Sequence, residues 1–349
     1  MSTERDKARY PFTAEAAEFI RKLGLRIEDL TSEYYRPILV RAEQRIRQAL
    51  TEFKVTPQEH DINIEVTSFP TAVMLMSYVK NELAKRRYAL AESKSFSERL
   101  REEPAEKILR IAKETFGWDV KPTPEGEGQT GDFQLHFKQY LTNMRNLREL
   151  RWKLTNRPLR DGYVQLMKEE ATRLIEEEIQ RRILEKTKNP PAKPPEALQD
   201  TIESIERLAS TSTPSQTPIQ NFDLKIKDSP PCIKKLIETL SSGGRLSHIG
   251  RFTLTSFLVN AGAKEEEIIG FFKSASDFDE RKTKYQVEHI SGRRGGKTKY
   301  IPPKCDTLKT HGVCSDPDEL CKRIKHPLTY YKIKAGRFKR RQVQPTMKT

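Results

Sequence analysis

The feature that most constrains the fold of this 349-residue chain is a stretch past its middle that cannot pack into a core. Residues 189–195 read Asn-Pro-Pro-Ala-Lys-Pro-Pro, and residues 210–218 contain only serine, threonine, proline and one glutamine. Proline lacks a backbone N–H donor, and runs without apolar periodicity are typical of linkers. We therefore predict four segments, a first domain at 1–208, a flexible linker at 209–222, a second domain at 223–331 and a basic tail at 332–349.

The first domain is predicted to be mainly helical. Pro37 opens a segment with apolar residues at three- to four-residue spacing, as in a helix that carries proline in its first turn. Residues 71–90 start so apolar that they predict one core helix, and residues 105–116 predict an amphipathic one. Residues 167–186 predict a charged helix stabilised by opposite charges four residues apart.

A small α+β insert is predicted between 131 and 166, where the apolar spacing changes. Alternation at 133–137 indicates a strand, and residues 152–155 and 162–166 read as two further short strands around a turn. After the linker, helices are predicted at 232–240, 251–260 and 265–273. Beyond Lys282 the chain reads as basic and loop-like, so we expect something other than a large core to hold it together. The predicted fold class is mainly α.

Charge is distributed unevenly along the chain. The net charge is +15, and residues 281–349 contain 19 Lys/Arg against 5 Asp/Glu, so this last fifth contributes 14 of the 15 charges. A positive field concentrated in this way favours a polyanionic partner, because neutralised phosphates release counterions. No stretch approaches the roughly 20 apolar residues of a membrane span, and the first residues lack the apolar core of a signal peptide. We expect a cytoplasmic protein, or a nuclear one if the source is eukaryotic, with no membrane contact.

The cysteines of the chain, Cys232, Cys305, Cys314 and Cys321, all lie in the second domain, which predicts one shared site. Four thiolates suit either a structural zinc ion or an iron–sulfur cluster. Zinc sites usually begin with two cysteines two to four residues apart, whereas here the intervals hold 72, 8 and 6 residues. The spacing favours [4Fe–4S], while zinc, two disulfides or free core thiols remain alternatives.

Around these cysteines the sequence resembles a known family. Pro231-Cys232-Ile is followed by Arg245-Leu-Ser-His-Ile-Gly-Arg-Phe, by Tyr285-Gln-Val-Glu-His and by Tyr300-Ile-Pro-Pro-Lys-Cys305. In order and spacing these pieces resemble the C-terminal domain of the large subunit of archaeal and eukaryotic DNA primases. The chain has Ser247 where eukaryotic members have an arginine, and its length favours an archaeal source.

The resemblance implies a helical C-terminal domain in which the four cysteines hold one [4Fe–4S] cluster. It further implies that this domain contacts template DNA and the initiating nucleotide or the 5′ end of the RNA primer, with roles for Arg245, His248 and Arg251. The N-terminal domain is then expected to dock on the small catalytic primase subunit, in a heterodimer that serves the replication machinery. The large subunit itself would be regulatory and non-catalytic.

Nucleic-acid binding also fits the residue types. Cations hold phosphates while aromatic and imidazole rings stack on bases. The candidate contact residues in the second domain are Arg245, His248, Arg251, Lys284, Tyr285, His289, Arg293, Arg294, Lys297 and Tyr300.

Three catalytic interpretations fail on the sequence. A phosphate-binding loop at Gly296-Lys297-Thr298 would need a glycine at position 291, which is serine. Asp277-Phe-Asp279 has no partner acid on a predicted strand, so a two-metal polymerase site is not indicated. The six histidines are scattered without the spacing of a catalytic triad or a zinc hydrolase, so neither is indicated. The remaining alternatives are an independent iron–sulfur nuclease, glycosylase or helicase, and a zinc-stabilised nucleic-acid-binding protein.

Overall fold

The computed structural model describes residues 4–58, 61–124, 131–147, 149–188, 190, 194–212, 227–296 and 298–336. The chain divides into two compact units, Met1–Ser215 and Gln216–Thr349. The helices of the first unit are α1 Glu4–Arg9, α2 Ala14–Leu23, α3 Arg36–Thr51, α4 Ile62–Tyr78, α5 Glu82–Leu100, α6 Ala105–Phe116, α7 Phe137–Asn143, α8 Lys168–Lys188 and α9 Gln199–Ser212. Those of the second unit are α10 Pro231–Ser241, α11 His248–Ala261, α12 Glu265–Lys273, α13 Glu280–Ser291, α14 Cys305–Thr310, α15 Glu319–Lys322 and α16 Pro327–Lys334. The mainly α fold class is confirmed.

Helices with a broad apolar stripe form where the sequence indicates. Helix α3 carries Pro37 in its first turn, and α6 spans the predicted residues and ends at Gly117, whose φ of +67° suits glycine. The single core helix predicted for 71–90 is wrong, because the chain forms α4 and α5 with a break at 79–81. Asn81 favours the start of a new helix, since its side chain accepts a hydrogen bond from the Ala84 N–H at 3.0 Å and caps α5.

The insert contains an antiparallel sheet of strands β1 Val120–Pro122, β2 Phe133–His136, β3 Leu159–Arg160 and β4 Tyr163–Leu166, in the order β1-β2-β4-β3. Leu135 of β2 faces Val164 of β4, and both are fully buried. The strand predicted at 152–155 is wrong, because these residues form two 3-10 turns, Leu150–Trp152 and Leu154–Asn156. Trp152 is buried there, and its carbonyl accepts the Tyr140 hydroxyl at 2.7 Å.

Helix α9 belongs to the first unit. Arg87 of α5 donates to the Ser212 carbonyl at 2.5 Å, Glu206 accepts from the Lys80 N–H at 2.9 Å, and Ala209 is fully buried. The predicted linker start at 209 is therefore wrong, because residues 209–212 form the last turn of a helix with an apolar stripe. The rest of the predicted linker, 213–222, lies outside the described residues.

Buried charges connect α3, α4 and α5. Arg41 donates to Glu65 at 2.7 Å, Arg45 donates to Glu65 at 2.7 Å, and Arg45 also forms a two-pronged pair with Glu92 at 2.8 Å. Each of the four side chains is at most 3% exposed. Burial by itself lowers the pKa of Arg45, but Glu92 and Glu65 outweigh it and raise that pKa. Both carboxylates thus accept hydrogen bonds from guanidinium groups through both of their oxygens.

In the second unit α10, α11 and α12 surround a core that includes Ile233, Phe257 and Phe272. The loop predicted beyond Lys282 is wrong, because the chain continues in α13, α14, α15 and α16. The periodicity of α13 is hard to detect, since it buries only Thr283, Val287 and Ile290.

The predicted tail at 332–349 begins inside α16, and residues 337–349 lie outside the described residues. Among the described helices, none combines the length and the apolar character needed to cross a bilayer.

Replacing Arg45 by leucine is expected to lower the free energy of unfolding of the first unit by about 3–5 kcal/mol. The substitution leaves Glu92 buried without the guanidinium that binds both of its oxygens. The measurement is urea denaturation of the full chain followed by tryptophan fluorescence. Trp118 and Trp152, the two tryptophans of the sequence, are both buried in the first unit, so the signal reports that unit alone.

Lys22→Gln is the control, because it breaks an exposed pair with Glu18 and is expected to leave the denaturation midpoint unchanged. An Arg45→Leu midpoint equal to that of Lys22→Gln would show that the buried charges do not hold the three helices together.

Candidate functional site

The four cysteines all lie in the second unit. Cys232, the second residue of α10, is 8% exposed. The pKa of its thiol is raised to about 12, mainly by burial and then by Cys314, Cys305 and Cys321. The other three thiols therefore lie within electrostatic range of Cys232. That the four cysteines form one shared site stays a prediction from the sequence.

Each of the other thiols sits on a backbone held by specific hydrogen bonds. Cys305 begins α14, and its N–H donates to the Lys325 carbonyl at 3.0 Å. The Cys314 N–H donates to the Leu308 carbonyl at 3.1 Å, at the end of the same helix. Cys321 lies in α15 and donates its N–H to the Asp318 side chain at 3.0 Å. The positions of the thiols thus depend on the helix ends around them.

Burial makes the thiolate form of these cysteines costly without a cation. It raises the pKa of Cys305, with a further contribution from Cys314, and it raises the pKa of Cys321 to about 11. Soft metal centres bind the thiolate and offset this cost. Across the described ranges, no three histidine, cysteine or carboxylate side chains are arranged to hold a single metal ion.

The start of α11 presents the basic motif. Ser247 caps the helix by accepting the Gly250 N–H at 3.2 Å, so the residue that differs from eukaryotic members has a structural role here. His248 is the exposed first residue of the helix, and Arg251 lies on the same face one turn later. Arg245 is half-buried just before the cap.

Arg251 is held by contacts that the sequence did not indicate. Its Nη2 donates to the Asp277 carboxylate at 2.6 Å, and its guanidinium lies 5.5 Å from the Phe272 ring centroid. Asp279, the other acid of the Asp-Phe-Asp segment, caps α13 by accepting the Lys282 N–H at 2.9 Å. Both carboxylates therefore have structural partners, in agreement with the rejection of a metal-binding pair.

Three predicted contact residues form an aromatic ladder, which we define as Tyr285, His289 and Tyr300. The ring centroids of Tyr285 and His289 are 6.3 Å apart and those of His289 and Tyr300 are 5.4 Å apart, with interplanar angles of 22° and 24°. Tyr285 is 52% exposed and Tyr300 is 37% exposed. Arg294 lies over the Tyr285 ring at 5.2 Å. The ladder thus contains two partly exposed tyrosines beside a cation.

The ladder joins residues from α13 and from the segment before α14. The Tyr300 N–H donates to the Ile290 carbonyl at 3.0 Å, and the Tyr300 carbonyl accepts the Asn260 side chain at 2.7 Å. Phe252 meets the Tyr300 ring edge-on at 6.0 Å. Sequence reasoning missed Phe252 and Asn260. Asn260 lies eight residues after Phe252 in α11, and this spacing is the signal that could have placed them on one helix side.

The remaining predicted cations surround the ladder. Lys284, Arg293 and Arg294 are exposed, and the latter two pair with Glu265 at 3.2 Å and with Glu288 at 3.5 Å. Both arginine side chains are largely exposed, so these pairs contribute little to stability. Lys297 lies outside the described residues.

Comparison with known proteins matches both units of the chain. Residues 8–189 match the N-terminal domain of the eukaryotic and archaeal DNA primase large subunit, and residues 223–340 match the C-terminal domain of the same subunit. The match to the N-terminal domain alone covers more than half of the chain.

Curated relatives match along nearly the whole sequence. The DNA primase large subunit of Methanococcoides burtonii is 36% identical over 94% of this chain and 91% of its own length. That of Methanosarcina acetivorans is 37% identical over 93% and 86%, and that of Halobacterium salinarum is 29% identical over 94% and 92%. With both domains matched in order and archaeal relatives matched nearly end to end, this chain belongs to the family of archaeal and eukaryotic DNA primase large subunits.

Proposed function

We propose that this chain is the non-catalytic, regulatory subunit of a primase heterodimer, and that its second unit holds one [4Fe–4S] cluster beside a surface for nucleic acid. The observation that carries the proposal is that one small unit contains Cys232, whose thiol pKa is raised in part by the other three cysteines, together with the aromatic ladder and three exposed cations. Membership of the primase large-subunit family agrees with this combination.

The residues present fit an iron–sulfur cluster as ligands. The four sulfur donors come from separate segments of one unit, and burial raises the thiol pKa of Cys232, Cys305 and Cys321, so a cationic centre would favour the thiolates. When bound, the cluster would supply a cross-link between Cys232 and the last three cysteines of the sequence. These residues would then hold the first helix of the unit to its short final helices.

Single-stranded template is the nucleic acid that best fits the ladder. Rings with exposed faces stack on unpaired bases, and nearby cations follow the backbone phosphates. Tyr285 and Tyr300 provide the faces, while Lys284, Arg293 and Arg294 provide the charges. Helix α13 and the segment ending at Tyr300 would therefore position the template.

The initiating nucleotide, or the 5′ end of the primer, is proposed to bind at the start of α11. His248 is exposed at the first helical position, where the helix dipole favours a phosphate. Arg251 is half-buried and oriented by Asp277, so its guanidinium keeps a defined direction. Arg245 precedes both and would add positive charge.

The first unit is proposed to dock on the small catalytic subunit of primase. This assignment rests on family membership through residues 8–189 and on the division of the chain into two units. The division allows one unit to remain on the partner while the other binds nucleic acid. Bond formation would occur on the catalytic partner.

The cluster is tested by measuring iron, acid-labile sulfide and zinc in the full chain after purification without oxygen. We expect about four irons and four sulfides per chain with little zinc, and we expect Cys305→Ser to lose most of the iron because the cluster loses a ligand. One zinc per chain without iron would contradict the proposal.

The ladder is tested by measuring the affinity of the full chain for a fluorescent single-stranded DNA. Tyr285→Ala is expected to weaken binding roughly tenfold because a stacking face is lost. Tyr285→Phe keeps the ring and is the matched control. Equal weakening by alanine and phenylalanine would exclude stacking on Tyr285 as the cause.

The charge contribution is tested by titrating salt in the same assay. Arg294→Gln is expected to reduce the slope of log affinity against log salt by about 0.7, as for one lost phosphate contact on a single strand. Lys235→Gln removes an exposed charge of the same sign on α10 and is expected to change the slope less. If both variants change the slope equally, Arg294 makes no specific contact.

The assignment of catalysis to the partner subunit is tested by measuring primer synthesis with and without the catalytic subunit of the same organism. This chain alone is expected to make no primer, whereas adding it should increase initiation by the catalytic subunit. His248→Ala, at an exposed position, is expected to lower initiation roughly tenfold, as for one lost charge-assisted hydrogen bond, while extension of a supplied primer stays unchanged. Primer synthesis by this chain alone, or unchanged initiation by the variant, would contradict the assignment.

A further inference from the structure

One short segment contacts two of the cysteine-bearing segments at once. Residues 325–330 comprise the end of the connection between α15 and α16 and the first turn of α16. Their hydrogen bonds reach the chain before Cys305 and the cap of the helix that contains Cys321. These bonds lie outside the core of α10, α11 and α12. Their arrangement suggests a function in positioning the thiols.

The first connection is made by His326. Its Nδ1 accepts the Leu328 N–H at 3.2 Å and caps α16. The proton must then be on Nε2, which donates to the Pro302 carbonyl at 2.9 Å. The neighbouring Lys325 carbonyl accepts the Cys305 N–H at 3.0 Å, so two adjacent residues hold the start of α14.

The second connection is made by Tyr330. Its side chain is buried, with the residue only 4% exposed, and its hydroxyl donates to Asp318 Oδ2 at 2.7 Å. The other oxygen of Asp318 accepts the Cys321 N–H at 3.0 Å. Tyr330 therefore orients the carboxylate that fixes the backbone of Cys321. A buried phenol also holds this carboxylate more rigidly than water would.

Both connections are anchored in the core of the unit. Tyr331, next to Tyr330, is 4% exposed and packs edge-on against Phe257 of α11 at 5.6 Å. Phe257 is fully buried. Helix α16 is thus tied to the longest helix of this unit among the described residues, and movement of the cysteine segments would require loss of that packing.

We propose that His326 and Tyr330 form a clasp that positions Cys305 and Cys321 and thereby controls how long the second unit retains its cluster. The inference rests on the proposed [4Fe–4S] site but concerns residues that are not ligands. The clasp acts through backbone and carboxylate partners, as supporting hydrogen bonds do at other metal sites. It holds the ligand-bearing segments in place during transient opening, so that a released thiolate can rebind.

The test measures cluster loss from the full chain. Protein purified without oxygen is transferred to aerobic buffer with EDTA, and the decay of visible absorbance and of bound iron is followed. Tyr330→Phe removes only the hydroxyl, and His326→Asn keeps an acceptor for the Leu328 N–H while losing the reach to Pro302. Each is expected to start with the iron content of the wild type and to lose it about three- to tenfold faster, in line with one buried hydrogen bond.

The matched control is Thr310→Val. Thr310 donates to the Asp306 carbonyl at 3.0 Å within α14, so this variant loses a hydroxyl hydrogen bond in the same segment but outside the clasp. Its rate of iron loss is expected to equal that of the wild type. Far-UV circular dichroism checks that each variant is folded, and if one clasp variant fails to fold the other provides the test.

The outcomes separate this inference from the cluster itself. Faster loss in the clasp variants than in Thr310→Val supports the clasp. Wild-type protein with a full complement of iron, together with equal rates in all variants, would overturn the clasp and leave the cluster in place. Wild-type protein without iron would overturn both.

Discussion

The arrangement of the first unit depends on a chain of buried charges formed by Arg41, Glu65, Arg45 and Glu92. In a low-dielectric interior each guanidinium must keep its carboxylate, because an unpaired buried charge costs several kcal/mol. Sliding α3 against α4 or α5 would separate these pairs, so the charges select one register for the three helices. Helix α8 packs on α4 and α5, and α9 packs on α3. The outer helices thus depend on a register that apolar packing alone would leave less defined.

The second unit is organised differently. Its core of three helices is small, and α14 and α15 are too short to be stable alone, since isolated helices of this length are marginal in water. They are held by caps, by the Cys305 backbone and by the buried hydroxyl of Tyr330. The cysteine segments and the aromatic ladder therefore belong to the same small unit. We expect a ligand that ties the thiols together to affect the aromatic ladder as well.

Prediction from the sequence worked best where one physical signal dominates. Helix α12 was predicted with its observed ends, because an apolar face follows a run of three glutamates at its start. Helix α13 was missed, since its buried stripe has only three residues, one of them the polar Thr283. Trp152 was assigned to a strand because local alternation cannot distinguish a strand from a 3-10 turn that buries one large ring.

The sequence by itself determined the family, the two-unit organisation, the set of four cysteines and most of the aromatic and basic residues of the candidate surface. These depend on residue types and spacing, which are written along the chain. Only the tertiary structure decided that Asp277 contacts Arg251, that three rings form a ladder, and that His326 and Tyr330 bond to Pro302 and Asp318. Such contacts join residues far apart in sequence, and their geometry depends on how the helices pack, which local patterns do not encode.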